Sequence, residues 1–199
     1  MWLMTVLDIS EHPISTRQRI IADLGDLFYW RTYRVGVDEI VRHLNITRAT
    51  LYRHFDGKEG LIVAYLERRD AAVRQEFDAV IGAATGAAAI HAIFDNLAAK
   101  TGREAFRGCG FFIAVTENPG SASIRAVATA HKVFLHALFD RLVPAGTDHA
   151  EVTEQLLVLY EGALAASVLR QEARPAEAAR KAAAILLSVA NLVGEGVAQ

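Results

Sequence analysis

A single cysteine, Cys109, and only four prolines occur among 199 residues. One thiol cannot form an intrachain disulfide, which suits a reducing cytoplasm, and cannot build a thiolate zinc site. The scarcity of proline leaves long stretches without a helix breaker. Charge of one sign is lacking too: 21 Lys and Arg face 23 Asp and Glu, a net of −2. No overall basicity therefore points to a polyanionic partner. Long hydrophobic runs are missing as well. The richest stretches, 156–169 and 182–193, are broken by Glu161 and by Ser188 and Asn191, so they read as core or interface helices and not as membrane spans. The opening MWLMTVLDIS has no basic flank and carries Asp8, which argues against a cleaved leader. No two of the seven histidines stand three or four apart, so neither metal nor cofactor is expected. A phosphate-cradling glycine loop, a nucleophile elbow and a recognisable carboxylate pair are all absent, which argues against an enzyme.

What is present is helix-forming material. Hydrophobic residues make up 52%, rich in Ala and Leu, which predicts an all-α protein of about nine helices. Ser15 and Gln18 form a capping box that starts a first helix near Thr16 after an arm of residues 1–14. Asp56 and Glu59 repeat the pattern and start a helix running from 57 or 58 toward 80. Glycines and Pro119-Gly120 then separate helices over 87–100, 110–117 and 121–142. Asp148 and Glu151 restart the chain as a helix to about 170, and Arg174-Pro175 opens the last one, to about 193.

Residues 37–59 are the most informative. Val37, Ile40, Val41 and Leu44 form one apolar helical stripe. Asn45 tolerates the left-handed conformation of a helix-ending turn, and Thr47 can cap the helix that follows. In that second helix Leu51 and Phe55 point inward, which leaves Arg48, Ala49, Thr50, Tyr52 and Arg53 on the outer arc. Residues 12–58 hold eight Arg and Lys against five Asp and Glu, so the positive charge missing overall is concentrated here. A short, capped, basic helix suits the major groove of double-stranded DNA. Arg48 and Arg53 are the candidate base readers, or else phosphate holders, and the Ala49 methyl could meet a thymine methyl.

The segments TRQRII, LFYWRTY and ITRATLYRHFDGKEGLIVAYLERRD within the first 70 residues resemble the tetracycline-repressor (TetR) family of bacterial transcription regulators. The family's hallmark run, Thr-Leu-Tyr-x-His-Phe-x-x-Lys-x-x-Leu, stands as Thr50 to Leu61. The resemblance implies phosphate contacts from Thr50, Tyr52 and Lys58, with Thr16, Arg17 and Thr47 beside them. It also implies a DNA-binding domain at 15–57, followed by an effector-binding and dimerisation domain at 58–199. The chain departs from the family pattern where Thr32 replaces a usual Gly and where the 33–37 loop lacks a Ser or Thr to cap helix two.

A softer resemblance to one subfamily covers Arg107–Asn118, Ile124–Val127 and His131-Lys132. It implies a cavity for an unidentified small-molecule effector. Phe94, Phe106, Cys109, Phe111, Phe112, Thr116, His131, Phe134, Leu138 and Tyr160 are its candidate residues, each open to being plain core. The apolar faces of the last two helices (Val152, Leu156, Leu159, Ala163 and Ala183, Leu186, Leu187, Ala190) either cover the chain's own core or pair with a second copy. The resemblance implies the second arrangement, a homodimer on a palindromic operator, acting as a repressor released by its effector. Alternatives are sensing through the Cys109 thiol, set between Gly108 and Gly110 beside Arg107, and a helical ligand-binding protein or enzyme without DNA function.

Overall fold

A computed structural model describes residues 15–104, 106–144 and 148–196; the expected arm at 1–14 lies outside them. Among the described residues the chain is nine α-helices with no strand: α1 (Thr16–Arg31), α2 (Val37–His43), α3 (Arg48–His54), α4 (Gly57–Ile81), α5 (Gly86–Thr101), α6 (Gly110–Glu117), α7 (Ala122–Leu142), α8 (His149–Arg170) and α9 (Arg174–Gly196). The Ser15 capping box forms in full: its hydroxyl accepts from Gln18 N at 3.2 Å, and Gln18 Oε1 accepts from Ser15 N at 3.0 Å. The Asp148 cap does not form through its side chain, although α8 starts there as expected.

The helices group into two compact units, one ending at Tyr65 and the other beginning at Leu66, inside α4. The division falls later than residue 57 because the first turns of α4 bury Leu61, Ile62, Ala64 and Tyr65. Tyr65 packs edge-on to Phe28, with ring centroids 5.0 Å apart, and Tyr33 lies 5.1 Å from Phe28. Ile20, Ile21, Leu24 and Leu27 of α1, Ile40 of α2 and Leu51 of α3 complete this first core.

In the second unit α5 is the central element. Ala89, Ile90, Ile93, Phe94 and Leu97 are fully shielded, and the helix packs against α7, α8 and α9. An aromatic cluster fills the centre: Tyr160 of α8 stands among Phe77, Phe94 and Phe139, with centroid separations of 5.9–6.3 Å. Such geometry adds to area burial through quadrupole complementarity.

This core corrects the expected dimer surface. Val152, Leu156, Ala163, Ala183 and Leu187 are buried inside the single chain, and Leu159 and Leu186 pack against the same cluster. Ala190 lies outside the described side chains. The apolar residues left in the open are Val158 and Leu169 on α8 and Ile185 and Val189 on α9, between 53% and 86% exposed. The apolar pattern picks out the inner face of both helices and does not say whether the same chain or a second copy covers it.

Candidate nucleic-acid interface

The turn between α2 and α3 is built as its residues require. Leu44 ends α2, Asn45 takes φ 50°, and Ile46 N bonds Val41 O at 3.0 Å. Thr47 then caps α3, its hydroxyl accepting from Thr50 N at 3.1 Å and lying 2.9 Å from the Thr50 hydroxyl. Leu51 and Phe55 are buried, and this anchors α3 by one face. Arg48, Ala49, Tyr52 and Arg53 are consequently exposed on the other. The start of α2 has no side-chain cap, because Gly36 occupies the N-cap position. Asp38 and Glu39 in its first turn offset that loss by placing negative charge at the positive end of the helix dipole.

Salt links knit the three short helices together. Arg31 of α1 donates to Glu39 of α2 at 3.1 Å. Arg48 grips Asp38 through Nε at 2.8 Å and through Nη2. This partner strengthens the hold of the Arg48 guanidinium on its proton, chiefly through the hydrogen bond. Arg17 lies over the Phe55 ring, 5.2 Å from its centroid, so it borders α3 as well as starting α1. Thr16 and Lys58 are partly buried at the starts of α1 and α4. Two short helices joined by a tight turn, the second exposing a basic face, is the helix–turn–helix arrangement.

The model of the family "Bacterial regulatory proteins, tetR family" matches residues 26–65, which span this motif and the first turns of α4. The helix–turn–helix is of the TetR type. The fold beyond it is shared with solved TetR-family structures. SCO4454, a TetR-family transcriptional regulator from Streptomyces coelicolor, is 29% identical with a TM-score of 0.79, covering 87% of this chain and 95% of that one. Sav143 from Streptomyces avermitilis shares the fold at 22% identity and TM-score 0.78, over 89% and 98% of the two chains. Escherichia coli NemR in its reduced form shares it at 21% and 0.73, over 85% and 95%. No curated protein matches the chain. A TetR-type helix–turn–helix within an all-helical chain supports a DNA-binding transcriptional regulator.

The effector candidates lie in different surroundings. Phe94, Leu138 and Tyr160 belong to the main core. Burial pushes the Tyr160 hydroxyl far up, so it stays protonated at any ordinary pH. Phe112 is 66% exposed and is no cavity residue, because α6 turns Phe111 and Ala114 inward instead. Thr116 is exposed too, its hydroxyl donating back to the carbonyls of Phe112 and Ile113 at 3.1 and 3.0 Å. Phe106 and Cys109 are partly buried ahead of α6, with Cys109 at its N-cap.

His131 has the most specific surroundings. It is buried, stacks on Phe111 with ring centroids 3.8 Å apart and planes at 10°, and its Nδ1 lies 2.7 Å from Asp70 Oδ1. Asp70 Oδ2 accepts from Arg74 Nε at 2.6 Å, and the Arg74 guanidinium lies 3.9 Å from the centre of the Phe134 ring. Burial lowers the His131 pKa, and the hydrogen bond to Asp70 only partly opposes it. The imidazole is therefore neutral near pH 7 and donates Nδ1–H to the carboxylate. Phe111 and His131 were among the expected residues; Asp70 and Arg74 were not. No local pattern could have flagged them, since Asp70 and His131 stand 61 positions apart. Elsewhere in this unit an open groove of about 720 Å³ runs along the start of α7, between Pro119 and Val133. None of the expected effector residues lines it.

Proposed function

We propose that the protein is a repressor that binds a palindromic operator as a homodimer and leaves it when a small-molecule effector binds. One observation carries the DNA half of this reading: burial of Leu51 and Phe55 turns Arg48, Ala49, Tyr52 and Arg53 outward on one capped helix. In a major groove Arg48 and Arg53 read guanine edges and Ala49 meets a thymine methyl. Thr50, Tyr52 and Lys58 hold phosphates, helped by Thr16, Arg17 and Thr47. A single seven-residue helix spans too few base pairs to select one genomic site. Two-fold pairing doubles the reading, and the apolar Val158, Leu169, Ile185 and Val189 supply surface for it.

The effector half is supported by the polar group Asp70–Arg74–His131 set among Phe111 and Phe134. A polar anchor within apolar walls suits a small organic molecule. Asp70 and Arg74 lie on α4, whose first residue, Gly57, directly follows the helix–turn–helix. A ligand bound there releases DNA only if it prefers the non-binding conformation, and it must do so about 10⁴-fold to move a 99:1 population to 1:99.

Selection of bound duplexes from a random pool tests the reading. An inverted repeat with half-sites about one helical turn apart, near 34 Å, is the expected result. Binding that is sequence-independent and vanishes on a modest increase in salt overturns it. With the selected duplex in hand, a compound that both raises the melting temperature and weakens DNA binding identifies the effector. A second reading, release through the Cys109 thiol, is favoured by its partly buried place at the N-cap of α6. Peroxide release that persists in Cys109→Ser rejects it.

A further inference from the structure

We infer that Asp38 is a specificity-determining residue of the DNA interface: its carboxylate sets the plane of the Arg48 guanidinium and directs the outer edge of that group at one guanine. The inference rests on the reading of Arg48 as a base contact.

Asp38 stands in the first turn of α2, and Arg48 is the first residue of α3. Arg48 Nε and Nη2 both point at Asp38 Oδ1. The carboxylate therefore occupies the inner edge of the guanidinium. The Nη1 group and the outer Nη2 hydrogen remain, and they form the parallel pair that matches O6 and N7 of guanine. Stability alone does not explain the link. The two side chains are 58% and 66% exposed, and an ion pair so open to water adds little to folding. Nor is it needed to join α2 to α3, which Ile46 N to Val41 O and the buried Ile40 and Leu51 already do.

What the link does is hold still a long side chain that otherwise samples many rotamers, so that less freedom is lost on meeting a base. It also places a negative charge beside the guanidinium. That charge disfavours a slide of Arg48 onto a phosphate and leaves the base edge as its acceptor.

The test uses the full-length protein and its selected duplex, with every single-base variant of one half-site. Arg48→Ala is expected to lose discrimination at one base pair. Asp38→Ala is expected to lose roughly tenfold in discrimination at that same base pair while binding random duplex no more weakly than before. Asp38→Asn keeps an amide oxygen facing Nε and should restore part of the preference; it also carries the test if the alanine variant fails to fold. The double variant should discriminate no worse than Arg48→Ala alone. Full discrimination in Asp38→Ala at the position Arg48→Ala abolishes would overturn the inference and leave Arg48 as an unaided reader. Tighter binding of Asp38→Ala to all duplexes alike would overturn it too, by making Asp38 a competitor of DNA. An Arg48→Ala protein with unchanged preference at every base sinks the base-contact reading itself.

Discussion

Thr32 closes α1 at φ 62° and ψ −174°, a region that only glycine enters without steric cost. A β-branched residue there stores strain of about 1–3 kcal/mol. Glycine also gains more freedom in the unfolded chain, which returns about 0.5–1 kcal/mol of that. Thr32→Gly should therefore stabilise the first unit by about 1 kcal/mol, read as a higher urea midpoint with an unchanged slope. No gain would mean that the turn relaxes around threonine. His131 makes the opposite kind of prediction. Its folded pKa lies below the ordinary 6.5, so the unfolded chain takes up more protons. Stability contributed by the neutral ring is present above pH 6.5 and falls as the pH drops below it. Melting temperatures of the wild type should decline below that point more steeply than those of His131→Phe, and equal slopes would remove the ring from the account.

At the scale of the element, α3 is seven residues long and too short to persist by propensity alone. The Thr47 cap and the two buried anchors, Leu51 and Phe55, hold it. Thr47→Ala should cost about 1 kcal/mol of stability and weaken DNA binding, because the Thr50 amide loses its partner. Circular dichroism melts and duplex titration check this; intact binding would show that α3 is held by packing alone. Legibility also differed between elements. The α6 bounds, 110–117, were readable to the residue, since glycines and Asn118 bracket an apolar run. What covers α8 was not. Val152, Leu156, Leu159 and Ala163 form the apolar arc that the sequence picks out, and a second copy could have covered it as well as the chain's own core.

At the scale of the whole molecule, the outer arc becomes the surface available to a second copy. Ile185 is 65% exposed, so replacing it costs the fold little. On the proposed dimer Ile185→Glu should halve the mass measured by light scattering and reduce operator affinity by at least tenfold, with melting nearly unchanged. A dimer that survives this substitution rejects the α9 face. The same test with Leu187→Glu would mislead, because that residue is 2% exposed and its charge would unfold the core.

The amino-acid sequence by itself determined what depends on near neighbours. The Ser15 and Thr47 caps, the left-handed Asn45, the helix order and the outward face of α3 all follow from interactions within a few residues of each other. Only the tertiary structure decided that the chain's own core covers the apolar faces of α8 and α9, that Phe112 is exposed while Phe111 stacks on His131, and that Asp38 holds Arg48. Each of these depends on how helices distant in sequence, or joined by a turn of particular angle, meet in space. A hydrophobic pattern reports that a surface must be covered and does not report by what.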